Sequence, residues 1–396
     1  MLADTLLVSR VVSGFRRCAV PALSVGALLL AGCGQFFPPI NSTSGSGSGS
    51  GSGGSTATGN NLYVLNSGLG SVAALSLSSG TVTALSDSPY ALNTSVNSMA
   101  INPAGTLLYV GSILTGLYVF TINNGALTLG GGNTVVSTSG GDALAVDPSG
   151  QWLLAVTDAA GTAPVLSTYG INGTTGALSN GTTIGLDTGT ATQIVFAPNG
   201  TEAFIPLSTG GIDAVSFAPG TGVVTKLSVL VQPLGNGYAD QALAINPAGT
   251  LLFAAETGTN GVRVFSIGSD GGLTEVSGSP YATALGPHSV LVDSTGTYVY
   301  VANTTAGTVS AFSIGSTGAL TPLSGSPFDA GSGPVSLAED STDSYLEVAC
   351  SGGSPDLEIF SIGSATAAVP GGLTSASTAS TSSGSSAVAT QVVATP

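Results

Sequence analysis

The chain ends on "ATQVVATP" (residues 389–396), and "ATQIVFAP" (residues 191–198) shares five of those eight positions. The internal copy opens a longer unit, running straight on into "NGTEAFIPL", whereas nothing follows the terminal copy. From residue 61 onward such units recur every 45 to 50 residues, the spacing of propellers and solenoids. The clearest are "QALAINPAGTLLFAAETGTNGVRVFSIGSDGGLTEVSGSPY" (241–281) and "HSVLVDSTGTYVYVANTTAGTVSAFSIGSTGALTPLSGSPF" (288–328), each with four apolar runs in the same order.

First and second runs are joined by "NPAG", "DPSG" or "APNG", with Pro second and Gly fourth in all three and Asn or Asp first in the first two. That is the residue order of a type I turn, so the runs are strands of hairpins. Second runs ("NLYVLN", "TLLYVG", "WLLAV", "EAFIPL", "LLFAA", "YVYVAN", "YLEVA") number seven, as do third and fourth runs. First runs up to Pro355 number only six, because the earliest unit starts at "NLYVLN" without one. The terminal "ATQVVATP" supplies the seventh. A ring of four-stranded blades that takes one innermost strand from the C-terminus pairs both chain ends and leaves no open edge there. The expectation is an all-β, seven-bladed β-propeller over residues 61–396, closed by a C-terminal strand joining the N-terminal blade.

Composition agrees. Charged residues make up 6% against 42% hydrophobic, with 59 Gly in 396 residues, which suits many short strands and tight turns rather than a disordered polyelectrolyte. Residues 1–32 read as an export signal: Arg10, Arg16 and Arg17 precede the apolar run "CAVPALSVGALLL", which is too short to span a membrane comfortably. Its end, Leu30-Ala31-Gly32-Cys33, resembles the lipobox of bacterial lipoproteins, which implies a lipid on Cys33 and cleavage just before it. Residues 33–60 are dominated by Gly and Ser, a flexible tether with a reach of roughly 25 Å. Gly34, where an Asp would retain a lipoprotein at the inner membrane, implies the outer membrane and a place in the cell envelope. Beyond Cys33 the only cysteine is Cys350, so no internal disulfide is expected and Cys350 reads as a small core residue.

Without the signal the chain has 2 basic residues, Lys226 and Arg263, against 19 acidic ones, a formal charge of −17. Nucleic acid is excluded as a partner, since phosphate neutralisation needs several cations. No phosphate-binding loop, nucleophile elbow or His/Cys cluster appears, so neither cofactor nor metal is expected. "EDSTDS" (339–344) stands where other units have their turn, and lacks the spaced carboxylates of a calcium loop.

"YVYVANTTAGTVSAFSI" (298–314) resembles the YVTN repeat of bacterial surface propellers. "GPHSVLVDSTG" and "VRVFSIGSDGGLTEV" resemble the lactonase-type propeller family that includes 6-phosphogluconolactonases. The resemblance covers residues 61–396 and implies the architecture more firmly than any activity.

In a propeller the innermost strands line a central channel. Counting back from the turn places Asn97, Asp142, Thr192, Gln241, His288, Val335 and Thr390 in one ring at their entries, and Ser98, Ala143, Gln193, Ala242, Ser289, Ser336 and Gln391 in the next. Loops after the second strands add Asn66, Asp158, Glu256 and Asn303. The candidate ligand-binding residues are therefore Asn97, Gln193, Gln241, Asn303 and Gln391. His288, the only histidine, is the candidate water-activating base, with Asp142 or Glu256 beside it. The family's "GPRH" pattern stands here as "GPHS", without the Arg that would hold a phosphate or carboxylate. Two functions stay open: a lipid-anchored, monomeric binding or interaction module for a protein, glycan or neutral small ligand, or a lactonase-like hydrolase opening a small lactone through His288.

Overall fold

The computed structural model describes residues 59–112, 114–130, 141–158, 162–381 and 388–396. The export segment, Cys33 and all of the tether except Gly59 and Asn60 lie outside them. Among the described residues there is no helix, and the strands form seven antiparallel sheets. These are numbered here as blades in chain order.

Blade 1 has Asn61–Asn66, Ser71–Ser78 and Thr81–Ala84 as its second to fourth strands, and its innermost strand is Ala389–Ala394 from the chain end. Innermost strands of blades 2 to 7 are Ser98–Ile101, Ala143–Val146, Val195–Phe196, Asp240–Ile245, Pro287–Val292 and Pro334–Glu339. The second strands, Leu107–Ser112, Trp152–Thr157, Glu202–Pro206, Leu251–Glu256, Tyr298–Asn303 and Tyr345–Cys350, lie next outward. In blades 1, 5 and 6 a two-residue strand (Tyr90–Ala91, Tyr281–Ala282, Phe328–Asp329) also pairs with the third strand. It contains the aromatic residue of a repeated Ser-Pro-Tyr/Phe sequence.

Closure is as the count of runs required. The terminal strand pairs antiparallel with Asn61–Asn66, Tyr63 opposite Val393 and Val64 opposite Val392. Thr395 continues the join, its amide donating to the Asn61 carbonyl at 2.8 Å and its hydroxyl accepting from the Asn61 amide at 3.0 Å. Because side chains alternate along a strand, the latch packs both ways: Val392 against blade 7, Val393 against blade 2. Each buried valine is worth about 1.5–3 kcal/mol.

The same alternation builds seven apolar clusters, one between each pair of neighbouring blades. The third residue of each second strand faces the next blade: Tyr63, Tyr109, Leu154, Phe204, Phe253, Tyr300 and Glu347, all fully buried. Three of the tyrosines donate their hydroxyl to a glycine carbonyl in the next blade's outer hairpin. Tyr63 bonds Gly125 at 2.9 Å, Tyr109 bonds Gly176 at 3.4 Å and Tyr300 bonds Gly371 at 2.9 Å. Blade 7 breaks the column with Glu347.

The inner hairpins turn as their residues require. Asn102 Oδ1 accepts the amides of Thr106 and Leu107, and Asp147 Oδ1 those of Gln151 and Trp152. Gly105 and Gly150 have φ of 64° and 71°, where a side chain would be strained. In "EDSTDS" Asp340 plays the Asn part, accepting from Ser344 and Tyr345, while Asp343 takes the left-handed φ of 56°. This is a turn like the others.

Trp152 is half-buried and seats on the outer turn of blade 4, donating Nε1–H to the Pro219 carbonyl at 2.7 Å. Cys350 is buried in the cluster between blades 6 and 7, and burial pushes its thiol up to about 12, so it is an inert core residue.

Candidate functional site

The entry ring is set by a recurring bulge. In blades 5, 6, 7 and 1 the pairing of the innermost strand skips one residue, and the skipped residues are Gln241, His288, Val335 and Thr390. In blades 2 and 3 the amides of Asn97 and Asp142 bond the carbonyls of Gly111 and Val156, which are already the partners of Ser98 and Ala143. A bulge re-aims its side chain relative to the regular ladder. Asn97, Asp142, Gln241 and His288 come out half-buried at the mouth, whereas Thr192, Val335 and Thr390 are buried.

Two of these ring residues bridge to the same position one blade on. Thr192 Oγ1 donates to the Gln241 carbonyl at 2.7 Å, and His288 Nδ1 lies 3.1 Å from the Val335 carbonyl. A carbonyl only accepts, so the proton of a neutral His288 sits on Nδ1 and the lone pair on Nε2.

The second ring joins blades. Gln193 Oε1 accepts the Leu243 amide at 2.7 Å, Gln391 Nε2 donates to the Met99 carbonyl at 2.9 Å, and Ser336 Oγ accepts the Val392 amide at 3.1 Å. In each case the partner stands one blade further round, one residue past the equivalent position. Gln193 and Gln391 are each 1% exposed. They are blade-to-blade struts, with no surface left for a ligand. Asn303 is likewise enclosed, its Nδ2 donating to Ser310 Oγ at 3.0 Å within blade 6.

The two carboxylates named beside His288 are placed apart from it. Asp142 belongs to blade 3, three steps round a ring of seven from blade 6, the largest separation the ring allows. Its Oδ2 accepts the Asp158 amide at 2.8 Å, while Asp158 Oδ2 accepts the Ala191 amide at 3.0 Å. Burial raises Asp142 above the usual carboxylate range, and burial plus the Asp142 charge raises Asp158 to about 6. Asp158, noted in sequence only as a loop residue, is thus the partner of Asp142.

Glu256 is fully buried in blade 5, opposite Asp240. Its Oε1 accepts the Leu234 amide at 2.9 Å and lies 3.7 Å from Arg263 Nη1. Arg263 belongs to the third strand of blade 5. It is 3% exposed, donates from Nε and Nη2 to both oxygens of Glu275, and stacks 4.8 Å over the Phe265 ring. Burial and the neighbouring Glu256 and Glu275 raise Asp240 to about 7 against the pull of Arg263. The other cation, Lys226, lies 2.7 Å from Asp187 and 3.1 Å from Asp213. Both positive side chains of the described region are therefore held in ion pairs. Among the described residues no three His, Cys, Asp or Glu side chains converge on a metal position. A cleft of 360 Å³ between the outer strands of blades 2 and 3, lined by Tyr118, Thr128, Leu129 and Leu178, lies on the flank, away from the mouth.

No family model and no curated protein sequence matches the chain. Solved structures do. A functionally unknown protein of Desulfotomaculum acetoxidans is 17% identical with a TM-score of 0.62, over 80% of this chain and 99% of its own. A presumed 6-phosphogluconolactonase of Bacteroides uniformis is 17% identical with a TM-score of 0.65, over 80% and 94%. The periplasmic gluconolactonase of Pseudomonas aeruginosa is 14% identical with a TM-score of 0.64, over 85% and 99%. At these identities the likeness is one of fold, a propeller shared with lactonase-like proteins.

Proposed function

We propose that the chain is a binding module of the cell envelope, held by a lipid on Cys33 through its Gly/Ser tether, with the channel mouth as its ligand site. One observation carries the reading: the half-buried polar groups Asn97, Asp142, Gln241 and His288 surround the mouth from four different blades. Dispersed donors and acceptors suit a neutral, hydroxyl-rich ligand such as a glycan, which needs hydrogen bonds from several directions. An anionic ligand fits poorly, since Lys226 and Arg263 are already engaged. The module works as a monomer in this reading, without nucleic acid. Titration calorimetry of the full chain with neutral oligosaccharides, beside Asn97→Ala and Gln241→Ala, tests it. Saturable heat lost in both variants supports the mouth, and binding unchanged in both variants removes it.

The second reading is a lactonase-like hydrolase. It is favoured by the place of His288, half-buried at the mouth with Nδ1 on the Val335 carbonyl, and by the fold shared with lactonase-like proteins. Against it, Asp142 lies across the channel and Glu256 is turned into the Arg263 cluster, so neither serves as the group that orients the base. Proton release from a panel of neutral lactones separates the readings. Turnover abolished by His288→Ala establishes the hydrolase, and rates equal to background in both proteins exclude it.

A further inference from the structure

Six of the seven second strands place an apolar or aromatic side chain at their third position, facing the next blade. The seventh places Glu347 there, in the seam between blade 7 and the blade completed by the C-terminal strand. Glu347 is 0% exposed, and both of its carboxyl oxygens are buried without a hydrogen-bond partner. The Gly80 carbonyl of the outer turn, equivalent to those that Tyr63, Tyr109 and Tyr300 bond, accepts the hydroxyl of Ser377 instead.

We infer that the seam between blades 7 and 1 is closed by a proton: Glu347 must be a neutral acid for the ring to shut fully, so the latch holds in acidic surroundings and loosens as they become alkaline.

Every charged group around it has the same sign. On its own blade, Glu339, Asp340 and Asp343 lie at the inner strand end and turn. Asp340 receives a hydrogen bond from Asn60 Nδ2 at 2.6 Å, which leaves its charge in place. Glu358 points the other way, toward Cys350 and blade 6. From blade 1 the seam receives Leu62, Val64 and Val392; Tyr63 faces blade 2, and Tyr345 of blade 7 packs on Gly80. Both cations of the described region are in blades 4 and 5. An ionised Glu347 would be an unpaired buried charge beside like charges. Burial, with Asp340 and Glu339 adding repulsion, accordingly holds it well above the ordinary carboxylate range. A group raised in the folded state has its stabilising effect in full below its unfolded pKa and loses it as pH rises toward the folded value.

Hydrogen exchange on the full chain from pH 5 to pH 9, corrected for base catalysis, tests the seam. Protection of the amides of residues 389–394 and 61–66 should fall by up to about tenfold per pH unit, the limit for one proton, while residues 107–112 in the second blade fall less. Glu347→Gln and Glu347→Leu should remove the extra fall; Leu, apolar like Leu154 at the same position, gives the same readout if Gln does not fold. Protection at the seam that is independent of pH, a fall equal in both regions, or a fall unchanged in a folded variant would each overturn the inference.

Discussion

The seam between blades 6 and 7 and the seam between blades 7 and 1 follow one plan with one different residue at their centre. In the first, Tyr300 fills the gap and its hydroxyl reaches the Gly371 carbonyl at 2.9 Å. In the second, Glu347 occupies the equivalent place with both oxygens unpartnered, and Ser377 takes the turn carbonyl instead. The first seam joins strands that follow one another in the chain. The second joins the two ends of the fold, where a strand from residues 389–394 must find a blade that begins at Asn61. A closed ring needs only one join that is not local, and here that join carries the buried acid.

Removing the latch is the strongest way to break this comparison. Deleting residues 389–396 strips Val392 and Val393 from two clusters and leaves an unpaired strand edge. A loss of about 3–6 kcal/mol from the valines alone is expected, with calorimetric unfolding no longer two-state; unfolding as cooperative and as high as that of the full chain would mean that the ring does not depend on it. Next in size is the pH dependence of the whole fold. Burial raises Glu339 from 4.5 to about 8, with Asp293, Asp343 and Asp340 adding repulsion, and Asp240 from 3.8 to about 7. Both groups bind protons more tightly when folded, so their contribution is complete below about pH 4 and is lost as pH rises to about 7 for Asp240 and 8 for Glu339. A higher melting temperature at pH 5 than at pH 8 is expected, the reverse of ordinary acid denaturation. With 5 Lys+Arg and 1 His in the chain, protonating the carboxylates produces little positive self-repulsion. A melting curve that rises steadily from pH 5 to pH 8 would contradict this.

Tyr300→Phe sharpens the comparison at smaller scale, since it removes one hydroxyl bond from the intact seam. A loss of about 1 kcal/mol is expected in denaturant unfolding, and Glu347→Gln should leave that loss unchanged, because the two residues stand in different seams. The smallest effect belongs to His288→Ala. It gives up at least the bond to the Val335 carbonyl at a half-buried site, and that bond alone accounts for about 0.5–1 kcal/mol. A much larger destabilisation would make His288 a structural strut like Gln193 rather than a group available at the mouth.

How far the site was legible follows from which partners are local. The hairpin turns were readable because Asn102 or Asp147 bonds amides four and five residues away. The ring of entry positions was readable by counting, and Asn97, Asp142, Gln241 and His288 of that ring come out half-buried while Thr192 and Thr390 are buried. What those side chains do was not readable. Gln193 and Gln391 looked like ligand-binding groups, and each bonds backbone one blade on. Asp142 and His288 looked like a pair, and the ring sets them on opposite sides. Glu347 was visible as the one acid in a column of large apolar residues, "YLEVA" against "YVYVA", although nothing in the run itself says that it is buried.

The sequence by itself determined the number of blades and the manner of closing, because strand alternation, turn residues and a missing first run act within some 45 residues and repeat often enough to be counted. Only the tertiary structure decided which polar groups are consumed in holding blades together and which face the channel. That choice rests on the neighbouring blade, whose carbonyls and amides lie about fifty residues away in sequence and 3 Å away in space.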